Sequence, residues 1–195
     1  VCITISKELS ATYAAAVAAA GEFEPGVVEA IDSRTVAQAQ GLIVKRAADL
    51  AATGAGKADI VDLVQDLIGR SRLIFSPTTL EYLQKGGRIG RASALLGSVL
   101  SIKPILSVED GAVATLDKKR TAAKARARMI EIVAAEPVEE AVVMHTGAAD
   151  VDSFRDEVAA AVGLEPGMVE IGLTGPVAGT HVGPGMVGIS RFLAG

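Results

Sequence analysis

The chain has 195 residues, of which 19 are Lys or Arg and 23 are Asp or Glu, so its net charge at neutral pH is −4. Half of the residues are hydrophobic and 22% are charged, which excludes a disordered tail or a low-complexity linker. The acidic balance argues against a dedicated nucleic-acid-binding protein, and the single cysteine excludes both an internal disulfide framework and a zinc cluster of thiolates.

The first third of the chain alternates strands and helices. Val1–Ile5 has the pattern of a buried strand already in progress, so we expect that part of the natural chain lies upstream. Ser10 is a candidate N-cap for an Ala-rich helix that ends at Ala20, before Gly21. Because strands that alternate with helices form parallel βαβ units, we expect a parallel sheet from the elements that follow. These are a strand at Val27–Ile31, helices at Val36–Ala52 and Asp59–Ile68, and a strand at Leu73–Phe75.

The pattern becomes mixed after Ser76. Thr78 and Glu81 fit a capping box for a short helix that ends at Gly86-Gly87. The segment Ile102–Leu116 follows and contains a hairpin of two strands, with its turn at Asp110-Gly111. The other predicted elements are helices at Ala92–Leu100, Arg120–Ala135 and Val151–Val162, and strands at Val142–Met144, Val169–Leu173 and Val187–Phe192.

These elements predict an α/β protein of two lobes with the ligand between them. Residues 1–76 form a mainly parallel, Rossmann-like βαβ lobe, and residues 77–195 form a mixed, partly antiparallel lobe. The chain contains neither a signal peptide nor a run of about 18 apolar residues, so we expect a soluble cytoplasmic protein with no integral membrane contact.

The segment Ile5–Tyr13 is the first candidate for chemistry. It places Ser6, Ser10 and Thr12 in a loop between a strand and the start of a helix, where α/β sheets bind ligands and backbone N–H groups favour an anion. The alternative is that Ser10 only caps the helix.

The second candidate is the turn Gly86-Gly87-Arg88. Two glycines allow a close approach of another group, and the Arg88 guanidinium is a fork of donors. Gly86 alone is explained as the end of a helix, and the spacing fits neither a Walker nor a Rossmann phosphate loop, so the nucleotide signal is weak.

The third candidate is the segment Gly179–Gly185, which we expect to be a rigid loop. It carries His181, which can donate a hydrogen bond to a carboxylate or act as a base, although a lone histidine is more often structural. His145, at the end of another strand, is the weaker candidate. With only these two histidines, a three-histidine metal site is excluded, and we expect no metal.

The fourth candidate is the basic run Lys118-Lys119-Arg120, which continues with Lys124, Arg126 and Arg128. Such a run is usually a solvated helix face. In an acidic chain it is also suited to docking an acidic partner or a phosphorylated ligand.

Together these segments resemble the DegV family of bacterial fatty-acid-binding proteins. The resemblance covers nearly the whole chain in order and spacing, although Ala11 stands where the family usually has Gly and the family's upstream segment, with a further carboxylate-binding hydroxyl, is missing. The matching segments are Ile5–Tyr13, Ile31–Ser33, Thr79–Ile89, Leu95–Gly97, Ile102–Leu106, Asp110-Gly111 and Gly179–Gly185.

The resemblance implies a long-chain fatty acid in a tunnel between the lobes, with its carboxylate bound by Ser10, Thr12 and His181. It further implies that the protein has no cofactor and performs no chemistry alone, but presents the acid to a separate ATP-dependent fatty acid kinase. That kinase makes an acyl phosphate for phospholipid synthesis. The implied mouth of the tunnel is formed by Gly86, Gly87, Arg88, Gly183 and Gly185.

The basic run is the implied docking surface for the kinase. We expect Lys118, Lys119 and Arg120 to be exposed, with Arg120 nearest the tunnel mouth. Two alternatives remain: a nucleotide- or phosphosugar-binding enzyme that uses the loop at Gly86-Gly87-Arg88, and an interaction module with an empty interior.

Overall fold

The structure is a computed structural model that describes residues 1–96 and 102–195. In chain order its elements are β1 (Cys2–Thr4), α1 (Thr12–Ala20), β2 (Ala30–Asp32), α2 (Ala37–Ala52), α3 (Lys57–Arg70), β3 (Ser71–Ser76), α4 (Glu81–Lys85), a 3₁₀ helix (Gly90–Leu95), β4 (Lys103–Glu109), β5 (Ala112–Lys119), α5 (Ala122–Ala134), β6 (Val138–His145), α6 (Val151–Val162), a short 3₁₀ helix (Pro166–Met168), β7 (Glu170–Leu173), α7 (Pro176–Val182) and β8 (Val187–Leu193).

The strands form two sheets. β1 and β2 pair in parallel, and the other six strands form a mixed sheet in the order β5-β4-β3-β8-β6-β7. Within the larger sheet only β6 and β7 are parallel. The predicted α/β fold, with one parallel and one mixed part, is confirmed.

The predicted parallel pairing of the strand at Leu73–Phe75 is wrong. β3 belongs to the larger sheet and is antiparallel to both neighbours, with Ile74 opposite Ile189 of β8 and Phe75 opposite Leu106 of β4. A short apolar run is compatible with either direction, because both faces of a central strand are buried. The division of the chain at residue 76 stays a prediction.

The large sheet is covered on both faces. Because side chains alternate along a strand, Ile74 packs with α5 and α6 on one face, around Met129 and Phe154. Its neighbours Leu73 and Phe75 point to the opposite face, into a second apolar cluster. α2 and α3 extend that second layer, with their own cluster of buried residues: Leu42, Ile43, Ala47, Val64 and Leu67 against Ile31, Val142 and Phe192.

α1 begins later than predicted and is poorly buried. It starts at Thr12, with Ala11 rather than Ser10 in the cap position, and none of its nine residues is buried. Ser10 still contributes, since its Oγ accepts a hydrogen bond of 3.2 Å from the Thr12 N–H. β2 is shorter than predicted, so Val27 precedes the strand.

The predicted capping box of α4 is also wrong. Leu80 occupies the cap position, and the Oγ1 of Thr79 accepts from the N–H of Glu81 at 3.2 Å. Thr78 donates instead to the carbonyl oxygen of Pro184, and Glu81 forms an ion pair with Lys85. Both side chains therefore have other partners.

Three further boundaries differ from the predictions. The helix predicted at Ala92–Leu100 is a 3₁₀ helix that ends at Leu95, and residues 97–101 lie outside the described residues. β5 runs to Lys119, so α5 starts only after Thr121, whose Oγ1 accepts from the Lys124 N–H at 3.3 Å.

The segment Gly179–Gly185 is not wholly a loop, because its first half belongs to α7. Pro176 fits the first position of a helix, where its missing N–H is not needed. Gly183, with a φ of +76°, ends the helix in a conformation that favours glycine. His181 therefore projects from the last turn of a helix.

Candidate functional site

A cavity of about 220 Å³ lies in the apolar cluster on the face of Leu73 and Phe75. Its walls are mainly aliphatic and aromatic, and only four polar side chains line it. The apolar walls include Leu73, Phe75, Leu83, Val113, Met144 and Met186, and the polar residues are Ser10, Arg88, Thr174 and His181.

The loop after β1 brings Ser10 to the cavity. Ser6 is fully buried and donates a hydrogen bond of 2.7 Å to the carbonyl oxygen of Gly111, in the turn between β4 and β5. The N–H of Ser10 in turn donates to the carbonyl oxygen of Ser6 at 3.1 Å. Ser10 is half-buried, and its Oγ lies 2.8 Å from the Oγ1 of Thr12. Thr12 is exposed and touches the site only through Ser10.

Arg88 joins two of the predicted segments. Its Nε donates to the carbonyl oxygen of Leu9 at 3.0 Å, and its Nη1 donates to that of Gly86 at 2.8 Å. The side chain lines the cavity, is otherwise exposed, and forms no ion pair with any residue that the structure describes. Gly87 takes a φ of +68°, so the turn requires a left-handed residue there.

His181 lies against the same turn. A Cβ at Gly86 would overlap the imidazole ring, so only glycine allows this approach. The Nδ1 of His181 is buried and has no hydrogen-bond partner among the described residues. Because Nδ1 is enclosed by this turn, Nε2 is the ring nitrogen left to interact with a ligand.

Gly183 and Gly185 shape the turn behind His181 and do not line the cavity. Thr146, which the sequence analysis missed, organises this turn. Its Oγ1 donates to the carbonyl oxygen of Gly183 at 2.6 Å and accepts from the N–H of Met186 at 2.9 Å. Its position directly after β6 was the available signal, because the loops at strand ends carry the site.

His145 stays outside the cavity. Its Nδ1 is buried without a partner among the described residues, and its carbonyl oxygen accepts from the N–H of Thr174 at 2.8 Å. This hydrogen bond fixes the backbone of Thr174, a second lining residue that the sequence analysis missed.

The basic run differs from the prediction. Lys118 and Arg120 are exposed, but Lys119 is half-buried and its Nζ lies 2.9 Å from the Oδ2 of Asp117. Hydrogen bonds from Lys119, from the Lys118 N–H and from Arg128 lower the pKa of Asp117 to about 2.

The expected place of Arg120 nearest the tunnel mouth is not supported, because none of the three basic residues lines the cavity. Val113, near the other end of β5, does line it. Arg120 follows the last residue of β5 and is seven positions from Val113, so the extended strand separates the two by roughly 20 Å.

Within residues 1–96 and 102–195 the structure contains neither a metal-binding cluster nor a membrane-spanning helix. No group of three or more His, Cys, Asp or Glu side chains is placed to hold a metal ion. No helix in this part of the chain is both long and apolar enough to cross a bilayer.

The fold and the cavity are those of a two-lobed α/β protein with an apolar interior and a polar rim. The model of the DegV family, described as a family of uncharacterised proteins, matches residues 1–193. The chain therefore belongs to the DegV family, which confirms the predicted resemblance.

Curated and structural relatives agree with this assignment. A DegV domain-containing protein of Streptomyces coelicolor is 38% identical over 97% of this chain and 68% of its own length. Among solved structures, a fatty-acid-binding DegV family protein of Thermus thermophilus is 33% identical, with a TM-score of 0.90 over 97% of this chain and 69% of that one. DegV of Bacillus subtilis, a fatty acid binding protein, is 30% identical, with a TM-score of 0.81 over 98% and 70% of the two chains.

Proposed function

We propose that the protein binds a long-chain fatty acid in the cavity, with the alkyl chain on the apolar walls and the carboxylate at Ser10, Arg88 and His181. The observation that carries the proposal is the distribution of polarity. Contacts through Leu9 and Gly86 connect these three polar residues to one another, and nearly all other lining residues are apolar.

The energetics suit such a ligand. Burial of an alkyl chain contributes about 0.8 kcal/mol per methylene, so a sixteen-carbon chain contributes roughly 11 kcal/mol before the ordering costs. A carboxylate that is drawn from water needs hydrogen-bond donors, or its desolvation offsets much of that gain. Three donors of the required kind line the cavity: the Ser10 hydroxyl, the His181 Nε2–H and the Arg88 guanidinium. Thr12 contributes indirectly, through its contact with Ser10.

The acid is then presented to a separate ATP-dependent kinase. Arg88 and Thr12 are exposed, so a carboxylate held beside them remains accessible from solvent. In the kinase step a carboxylate oxygen attacks the γ-phosphorus of ATP, the bond to the bridging oxygen breaks, and ADP leaves, which yields the acyl phosphate. This chain supplies binding and orientation in that step.

The docking surface for the kinase is proposed around Lys118 and Arg120. Both are exposed and form no ion pair with the described residues, whereas the charge of Lys119 is compensated by Asp117. A partner surface of opposite charge would therefore meet Lys118 and Arg120 first.

Mass spectrometry of an organic extract from the purified protein tests the binding proposal. We expect one fatty acid per chain, and a much smaller amount from Val36→Trp, which fills the cavity. Val44→Trp is the control, because Val44 is exposed on α2 and does not line the cavity. Melting temperatures of both variants show whether they fold.

Other outcomes of the same experiment contradict the proposal. A stoichiometric nucleotide or sugar phosphate would favour the enzyme that uses the loop at Gly86-Gly87-Arg88. An empty protein that also fails to bind added palmitic acid would favour the interaction module.

A further inference from the structure

The loops that follow the parallel strands β1 and β2 lie side by side, and both reach the cavity. The loop after β1 carries Leu9 and Ser10, and the loop after β2 carries Val36, and all three residues line the cavity. Neighbouring parallel strands place these loops at the same edge of a sheet, where α/β proteins bind ligands. The contacts that join the two loops therefore decide where the lining residues lie.

Asp32 joins the two loops through its side chain. It is the last residue of β2 and is half-buried. Its Oδ1 accepts from the N–H of Lys7 in the first loop at 3.2 Å and from the N–H of Arg34 in the second at 2.9 Å. A backbone hydrogen bond runs beside these contacts, since the N–H of Ser6 donates to the carbonyl oxygen of Thr35 at 2.9 Å. A carboxylate is a strong acceptor, so Asp32 is well suited to fix both N–H groups.

The contact with Arg34 stabilises an unfavourable backbone conformation. Arg34 has a φ of +56°, in the left-handed region that is costly for residues other than glycine. Its N–H is held by Asp32, and its Nη2 lies 3.0 Å from the Oδ1 of Asp110 at the tip of the β4–β5 hairpin. The next residue, Gly111, accepts the hydrogen bond of the Ser6 hydroxyl. The two loops and the hairpin tip thus form one hydrogen-bonded unit.

The place of Ser10 depends on this unit. The N–H of Ser10 donates to the carbonyl oxygen of Ser6 at 3.1 Å, and Lys7, which Asp32 holds, lies between them in the chain. Without the carboxylate, the segment from Lys7 to Ser10 loses a contact that ties it to β2. Asp32 itself does not line the cavity, so it reaches a ligand only through this segment.

We propose that Asp32 is a positioning residue for Ser10: its carboxylate fixes the Lys7 N–H and so places the Ser10 hydroxyl to donate to the ligand carboxylate. This inference rests on the proposed function of the cavity. A direct effect of the charge would have the opposite sign, because a negative side chain repels an anionic ligand and its removal would tighten binding. The direction of the change in affinity therefore separates the two roles.

The test is isothermal titration of delipidated protein with palmitic acid. We expect Asp32→Ala to bind about fivefold more weakly than the wild type, and Asp32→Asn to bind within about twofold of it, because asparagine keeps an acceptor oxygen without the charge. A double-mutant cycle with Ser10→Ala gives the second readout. In the Ser10→Ala background, Asp32→Ala should cause less than about a twofold further loss, because the hydroxyl that it positions is absent.

Asp59→Ala is the matched control. The Oδ2 of Asp59 accepts from the N–H of Gly56 at 3.2 Å at the start of α3, but Asp59 is exposed and does not line the cavity. Its loss removes the same kind of contact and should leave the affinity unchanged. Melting temperatures show whether the variants fold. Should Asp32→Ala fail to fold, Asp32→Val takes its place, since a β-branched residue suits a strand.

Three results would overturn this inference: unchanged or tighter binding by Asp32→Ala, an equal loss in Asp32→Asn and Asp32→Ala, or an equal effect of Asp32→Ala with and without the Ser10 hydroxyl. Each of them leaves the proposed function intact as long as the wild type binds palmitic acid. If the wild type does not bind this acid, the proposed function itself fails.

Discussion

The Nε of Arg88 holds the carbonyl oxygen of Leu9 at 3.0 Å, although 79 positions separate the two residues in the chain. Since Ser10 follows Leu9, the guanidinium fixes the loop that brings the Ser10 hydroxyl to the cavity. Arg88 is thus both a lining residue and a positioning residue for its neighbour.

Arg88→Met tests this double role, because it keeps the aliphatic stem and removes the donors. We expect fatty-acid affinity to fall about tenfold or more, since the charged donor and the order of the Leu9–Ser10 loop are lost together. The control is Arg72→Met: Arg72 is also exposed and donates to two backbone carbonyls, those of Gly69 and Ser71, but it does not line this cavity. Equal loss of affinity in the two variants would contradict the assignment of Arg88.

Gly86→Ala should displace His181, because the added methyl would overlap the imidazole ring. We expect at least a tenfold loss of fatty-acid affinity in a titration of delipidated protein. Gly41→Ala is the control, since a Cβ at Gly41 meets nothing within 4 Å and alanine stabilises a helix interior by about 1 kcal/mol. Unchanged affinity in Gly86→Ala would mean that the place of His181 does not matter for binding.

Removal of the two hydroxyls should have graded effects. Ser10→Ala removes a half-buried lining group and should weaken binding about fivefold to tenfold, whereas Thr12→Ala should weaken it less, because Thr12 is exposed and acts through Ser10. Isothermal titration with palmitic acid measures both. Ser153→Ala, on the surface of α6, is the control. A larger effect at Thr12 than at Ser10 would reverse the proposed roles.

The stability that Asp117 contributes should depend on pH. Its folded-state pKa is lowered from 3.8 to about 2, so its contribution is complete above pH 4 and is lost as the pH falls from about 4 to 2. At pH 7, Asp117→Asn should lower the free energy of unfolding by about 1 kcal/mol, since the side chain is 25% exposed and its pairs are partly screened. Urea unfolding at several pH values should show the difference disappear near pH 2. Asp62→Asn, at an exposed position on α3, is the control variant.

Arg120→Ala should leave fatty-acid affinity and melting temperature near those of the wild type, because Arg120 is exposed and far from the cavity. Acyl-phosphate formation by a cognate kinase should slow severalfold at low salt, with the difference reduced at high salt. Lys45→Ala removes an exposed cation from α2 and serves as the control. Equal turnover for wild type and Arg120→Ala at every salt concentration would show that the basic run is an ordinary solvated surface.

Local signals in the sequence predicted many elements well. The periodicity of Val151–Val162 gave α6 with both ends, and Asp110-Gly111 marked the hairpin turn, where both residues take positive φ. α7 was missed because its short sequence is interrupted by Gly179 and because it packs against α4, which is distant in the chain. The direction of β3 depends on β4 and β8, which no local pattern records.

The candidate site was predictable where a residue type is unusual in its segment. Arg88 after two glycines and His181 among glycines stood out, and so did the hydroxyls of Ser10 and Thr12. Thr146 and Thr174 did not, because a threonine after a strand is common and its role depends on partners in other elements. Lys119 was misjudged because the predicted strand ended at Leu116, whereas β5 runs to Lys119 and puts its side chain on the same face as that of Asp117, two residues earlier.

The hydrogen bond from Ser6 to Gly111 restricts which amino-acid substitutions the protein tolerates at these two positions. Glycine at 111 has a φ of +82°, and a Cβ there would lie 2.5 Å from the Oγ of Ser6, so a larger residue at the hairpin tip would push on the strand-end loop. That loop carries Ser10 four residues later. Substitutions at positions 6 and 111 should therefore be tolerated only in compatible pairs. Gly111 does not line the cavity, but a change at this position would move the loop that carries Ser10 and so should weaken ligand binding.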